Sequence, residues 1–162
     1  QENVAASPFA RQIRVVQGDI RAYATQEKYD AIVTNPPFFQ ADLRSPNGGI
    51  NQAHHAQEMT FADLLDAADR LLSENGRWFV LLPVAESIVL QKQAQVAGWW
   101  PRRQLRLTHQ PDRQPFRILT AYGRDQGQTV TNPPEELFIY ESDGKTYSST
   151  FRSLLKDFYL VF

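Results

Sequence analysis

The residues best suited to chemistry stand together at Asn35-Pro36-Pro37-Phe38, directly after the run Tyr29-Asp30-Ala31-Ile32-Val33-Thr34. That run is apolar on both faces at its centre and reads as a buried parallel strand. Its carboxyl end is where open α/β sheets take ligands. The two prolines fix φ and remove two backbone donors, so carbonyl oxygens point outward from a rigid turn. Such a turn suits the methylation of a planar amine. The lone pair of an exocyclic adenine amine, or of a side-chain amide, is delocalised and poorly nucleophilic. Acceptors aimed at its hydrogens favour a pyramidal nitrogen and stabilise the positive charge that develops on it. The Asn35 side-chain oxygen and the Pro36 carbonyl are the candidates. Phe38 is placed to stack on a planar substrate, with Phe39 beside it. No strong general base is needed, because the nitrogen can release its proton after transfer.

The chain carries an internal control. Asn132-Pro133-Pro134 repeats the tripeptide, but Glu135-Glu136 follow it and no buried strand precedes it. That copy reads as a plain turn. Context separates the two, as it must for a short motif.

The elements that position the first copy follow an α/β pattern. A helix tail is expected over 2–10, stopping near Ser7-Pro8. A short alternating strand is expected over 13–17, and a helical turn over 19–25. Residues 40–56 are polar and rich in Gly, Asn, Gln and His, and read as a long loop of the kind often used for function. Thr60 and Asp63 resemble a capping pair ahead of a helix with Phe61, Leu64, Leu65, Ala68, Leu71 and Leu72 on one face. Asn75-Gly76 is its natural stop. A strand over 78–82 ends at Pro83, and a helix over 85–97 is stopped by Gly98. Strands over 102–109 and 116–123, a last strand over 137–141 and a terminal helix over 153–159 complete the pattern. No internal domain boundary is visible.

Composition narrows the classes. The chain has 162 residues, 42% hydrophobic and 22% charged, enough for one ordinary domain. There is no cysteine, which removes a disulfide scaffold, a thiolate metal site and a thiol nucleophile, and fits a reducing compartment. A net charge of −1 means that nucleic-acid binding must rest on a local basic patch. One is available: Arg102, Arg103, Arg106, Arg113, Arg117 and Arg124 face a single acid, Asp112, over 102–124. With Phe116 and Trp99-Trp100 they suggest an RNA surface, where Arg meets phosphate and aromatics meet bases. The competing reading is the solvated surface of an edge hairpin. No apolar run approaches the ~20 residues of a membrane span, and no basic segment leads an apolar one at Gln1-Glu2-Asn3-Val4. A cytoplasmic protein is the expectation. No His, Asp and Glu cluster has metal-ligand spacing.

The turn resembles motif IV of class I S-adenosylmethionine-dependent amino methyltransferases. The chain as a whole resembles the bacterial tRNA1(Val) adenine-37 N6-methyltransferase family. The supporting residues are Val16-Gln17-Gly18-Asp19-Ile20, the segment Tyr29 to Phe39, His54-His55-Ala56-Gln57-Glu58 and Leu154-Leu155-Lys156-Asp157-Phe158-Tyr159-Leu160. The resemblance implies S-adenosylmethionine as methyl donor and tRNA as acceptor, with the adenine flipped or already unstacked to reach Asn35. Asn35, Pro36, Pro37 and Phe38 would form the catalytic turn, with Asn35 also near the cofactor. Asp19, with Ile20 beside it, would contact the cofactor adenine; the residue alone reads equally as a helix N-cap. His55 falls in a substrate-side loop, where a solvated histidine is the simpler reading. The rivals are methylation of a protein glutamine, an oxygen methyltransferase, and an RNA-binding remnant without catalysis.

Part of the family pattern is missing. The family's glycine-rich turn after its first strand lets the backbone approach the cofactor, and this chain has no Gly-x-Gly. Nor does it contain the acidic residue that ends the second strand and holds the ribose. By resemblance the sheet order is 3-2-1-4-5-7-6, with 13–17 as strand 3, 29–34 as strand 4, and strands 1 and 2, which lie between them, expected to be absent. The expectation is therefore a single partial methyltransferase domain over 1–162, the carboxyl-terminal part of a Rossmann-like sheet with an antiparallel final pair. It would be a fragment of an enzyme of roughly 230–250 residues.

Overall fold

A computed structural model describes residues 1–36, 59–124 and 134–159. The elements, in order, are α1 (Glu2–Ala5), β1 (Tyr29–Thr34), α2 (Phe61–Leu71), β2 (Leu72–Pro83), α3 (Val84–Val96), β3 (Trp100–Thr108), β4 (Arg117–Gly123), β5 (Glu135–Phe138) and α4 (Ser149–Leu155). The strands form one sheet in the order β1-β2-β4-β3-β5. β1 and β2 are parallel, β4 is antiparallel to both β2 and β3, and β5 runs parallel to β3. The order 4-5-7-6 expected for the carboxyl half of the sheet is thus present, with β5 added beyond it.

Cross-strand pairs give the sheet two unlike faces. Trp78, Val80 and Leu82 of β2 share one face with Tyr122, Thr120 and Ile118 of β4. α2 and α3 cover that face, and the core gathers there: Leu64, Leu65, Ala68, Leu90, Ala94 and Trp99 pack around the strand residues. Trp78 meets Trp99 edge-on at 6.3 Å and Tyr122 at 5.4 Å. The apolar spacing of α2 puts its buried residues on this side. Its start is the expected capping box: Thr60 accepts from the Asp63 N–H and Asp63 accepts from the Thr60 N–H. α3 ends where Gly98 takes φ +79°.

The other face carries Val33, Phe79, Ala121 and Arg103 in one row. Val33 is 77% exposed. The sequence pattern of β1 predicts burial on both faces, and the structure corrects this. Among the described residues nothing packs over Val33, and no strand pairs with the outer edge of β1. The expected strand at 13–17 is also absent: the segment is irregular, with Ile13, Val15 and Val16 about half exposed. A strand needs a neighbour for its hydrogen bonds, and here it has none.

Smaller differences are local. α2 stops at Leu71, and the Asn75-Gly76 stop becomes an excursion within β2, between the pairs Tyr29↔Leu72 and Ala31↔Arg77. Gly76 is required there: a Cβ would lie 3.0 Å from both the Ser73 and Tyr29 carbonyl oxygens. β5 lies two to three residues earlier than expected. The terminal helix starts at Ser149 because Ser148 caps it, accepting from the Phe151 N–H at 3.1 Å.

Candidate functional site

The turn after β1 begins where the sequence places it. Thr34 is the last strand residue, Asn35 is exposed and Pro36 is buried. The Asn35 amide is therefore open to a substrate while the backbone beneath it is held. A hydrogen-bond chain does the holding. Buried Trp78 donates Nε1–H to the Thr34 hydroxyl at 3.1 Å, and that hydroxyl donates to the Phe79 carbonyl at 3.2 Å. This bolts the end of β1 to β2 one residue before Asn35. Sequence reading did not find the link; a hydroxyl residue directly before the turn was the available signal. Pro37, Phe38, Phe39 and His55 lie outside the described residues.

Residues 18–23 form a turn beside Tyr29, at the start of β1 rather than at its Asn35 end. Asp19 opens a turn in which its carbonyl accepts from Ala22 and Tyr23 at 3.0 and 2.9 Å. Its carboxylate accepts the Arg21 backbone N–H at 2.9 Å, as an N-cap does, and is gripped by the Arg21 guanidinium at 2.6–3.0 Å. The Arg21 side chain, then its backbone N–H, hold the Asp19 carboxyl below its ordinary pKa. Asp19 thus caps a single turn, with no helix following it before β1. Arg70 of α2 clamps the turn, bonding the Tyr23 carbonyl and, at 2.7 Å, the Ile20 carbonyl. Beside the turn lies a cavity of about 390 Å³ lined by Gly18, Ile20, Tyr23, Tyr29, Ile32 and Leu71, among others. Tyr23 and Tyr29 share a hydroxyl contact of 3.0 Å in its wall.

The chemistry of that cavity, though not its place, suits one end of S-adenosylmethionine: it is lined from the start and middle of β1, whereas the Asn35 turn leaves the carboxyl end of the strand. The apolar and aromatic lining suits a purine, and Gly18 leaves open space for a close approach. The fit stops there. The Asp19 carboxylate already has its partners, and none of the lining residues is acidic, as binding of the ribose hydroxyls would require.

The arginines do not share one face. Arg103 lies in the row of Phe79 and Ala121 and pairs with Glu135 at 2.7 Å. Arg117 lies opposite Pro83 and Leu107 on that same face. Arg106 lies opposite Ile118, on the helix-covered face, and is exposed. Arg102 sits at the irregularity between Pro101 and Arg103 and is partly buried. Arg113 is exposed on the loop between β3 and β4, where His109 and Phe116 stack at 4.2 Å. That loop and the Asn35 turn leave the same end of the sheet, since Thr34 is level with Val80 and Arg117 with Pro83. His109 is a residue that sequence reading missed. Arg124 stacks 4.5 Å over Trp99 and pairs with Asp69, a structural role.

A sheet of this order, with a parallel strand ending in a pinned Asn-Pro turn, has the strand arrangement of a class I methyltransferase. The methyltransferase small domain model matches residues 1–88. A tRNA1(Val) (adenine(37)-N6)-methyltransferase from Dyadobacter fermentans is 42% identical over 161 residues, covering 99% of this chain and 67% of its own. One of the same description from Tolumonas auensis is 34% identical over 160 residues, covering 99% and 65%. The crystal structure of a predicted O-methyltransferase from Agrobacterium tumefaciens superposes with a TM-score of 0.65 over 96% of this chain and 66% of that one; at 13% identity it speaks for the fold alone. The chain belongs to the methyltransferase small domain family and, within it, to the tRNA1(Val) (adenine(37)-N6)-methyltransferase relatives. It spans about two thirds of the length of these curated relatives.

Proposed function

We propose that the protein to which this chain belongs methylates N6 of an adenine in tRNA, position 37 of tRNA1(Val) by its relatives' description, with S-adenosylmethionine as donor. The observation that carries the reading is the exposed Asn35 amide on a turn whose base is fixed by Trp78, Thr34 and Pro36. S-adenosylmethionine, when bound, supplies an electrophilic methyl group. The chain's part is to bring the amine to it. The Asn35 side-chain oxygen and the Pro36 carbonyl accept from the two N6 hydrogens. As the nitrogen takes on tetrahedral geometry and positive charge, these contacts strengthen, which is what lowers the barrier. Phe38 and Phe39 are proposed to stack on the extruded base, with His55 beside it. Arg102, Arg103, Arg106, Arg113 and Arg117 are proposed to receive the RNA backbone from both faces of the sheet edge. The reaction belongs to the cytoplasm, where tRNA resides; among the described residues no helix is long and apolar enough to cross a membrane.

The test is transfer of labelled methyl to a tRNA1(Val) transcript by the protein expressed from its complete reading frame. Label on N6 of adenine 37, and none on a transcript with guanine there, is expected. Label on a protein glutamine and none on RNA would overturn the reading.

A further inference from the structure

A second cavity of about 390 Å³ lies between α3 and the β3–β4 hairpin. Val84, Pro115 and Ile118 form an apolar wall; Gln91, Gln104 and Arg106 supply the polar side. Its volume is in the range of small-ligand sites. The amides are already organised. Gln104 Nε2 donates to Gln91 Oε1 at 3.0 Å and to Thr120 Oγ1 at 3.3 Å. This leaves Gln104 Oε1 as an acceptor and Gln91 Nε2 as a donor on the two bonded amides. Such a donor and acceptor match the edge of a nucleobase. Arg106 has no ion-pair or hydrogen-bond partner among the described residues.

The position is as telling as the chemistry. Arg106, Ile118 and Leu82 lie in one cross-strand row. Thr34 pairs with Val80, so continuing that register two residues brings Pro36 level with Leu82. Arg106 therefore stands three strands across the sheet from the Asn35 turn, at roughly 14 Å for strands ~4.8 Å apart. A few nucleotides of single-stranded RNA span that distance. Single-stranded loops are read in this way, with bases splayed onto apolar walls and hydrogen-bonded at their edges.

We propose that this cavity takes a nucleotide flanking the methylated adenine. Its base lies against Val84, Pro115 and Ile118, its edge meets the Gln91–Gln104 amide pair, and its phosphate meets Arg106. The inference rests on the RNA reading above and adds a specificity site to it.

The probe is the anticodon stem-loop of tRNA1(Val) with adenine at position 37, titrated by fluorescence anisotropy. A companion set lacks one base at each other loop position in turn. Wild type is expected to lose affinity when one particular flanking base is removed. Gln91→Met is expected to bind the intact stem-loop about 5–20-fold more weakly and to be indifferent to that same deletion. Arg106→Gln, an exposed change that spares folding, is expected to lower the slope of log affinity against log salt by about one. Base-deletion sensitivity unchanged in Gln91→Met, or a salt slope unchanged in Arg106→Gln, overturns the inference while leaving the RNA reading in place. A wild type that binds the stem-loop no better than a DNA hairpin overturns the RNA reading, and the inference falls with it.

Discussion

At the level of single residues, methyl transfer is proposed to turn on how Asn35 is presented. Asn-Pro-Pro is legible in the sequence, and so is the contrast with the second copy at 132–134. What the sequence does not display is the bolt beneath it. Trp78 lies 43 positions away from Asn35 in the chain, and only the sheet brings its indole N–H to the Thr34 hydroxyl. Thr34→Val keeps the shape and removes the hydroxyl, leaving a buried indole donor unpaired. The expected cost is about 1–3 kcal/mol of stability, read by urea unfolding, together with slower methyl transfer at unchanged RNA affinity. Full stability and full rate in this variant would show that the bond positions nothing. Asp19 teaches the converse lesson. Its carboxylate caps the turn and pairs with Arg21 in the structure, a contact that the Asp alone does not reveal in the sequence.

At the scale of elements, local signals are legible where they are self-contained. The α2 capping box, the apolar stripe behind it and the glycine stop of α3 were readable because each depends on a few neighbouring residues. The segment at 13–17 and the burial of β1 were misread because alternation and apolar content describe what a strand can bury, not what lies beside it. The arginines show the same limit. Arg103 and Arg106 are three residues apart and emerge on opposite faces by plain alternation, and a bulge between Pro101 and Arg103 takes Arg102 out of the register. For the capping box, Thr60→Ala is expected to cost about 1 kcal/mol at neutral pH, measured by thermal or urea unfolding. The sign with acid is also fixed. The Thr60 backbone N–H and hydroxyl hold the Asp63 carboxyl below its ordinary 3.8. A depressed folded-state pKa gives stability that is complete above the unfolded value and lost as pH falls through the folded one. The difference between wild type and Thr60→Ala should therefore shrink below about pH 3.8; a difference that grows with acid would contradict it.

At the scale of the whole molecule, the sheet order was legible only through resemblance, and the structure bears it out from β1 to β3. β5 was foreseen as a strand but not as a parallel neighbour of β3, because four residues carry too little pattern to fix a partner. The described residues present the proposed acceptor turn at the carboxyl end of β1 and bring no cofactor cavity to it. The cavity beside Gly18 lies toward the start of β1 and has no acidic residue for a ribose, and the chain has no Gly-x-Gly to close around the amino-acid end. Residues 1–162 alone are accordingly expected to bind S-adenosylmethionine with a Kd weaker than about 1 mM, less than ~4 kcal/mol. Calorimetry decides this. Micromolar binding by this chain would mean that other residues replace the glycine turn.

The most direct test of the central claim is the single-turnover rate of methyl transfer to tRNA1(Val) transcript, measured for wild type and Asn35→Ala in the complete reading frame at saturating RNA. If the Asn35 oxygen accepts from the reacting amine, the rate falls by about 10²–10³-fold, as for loss of a positioned transition-state contact, while RNA affinity stays nearly constant. Equal rates for the two proteins would contradict the account.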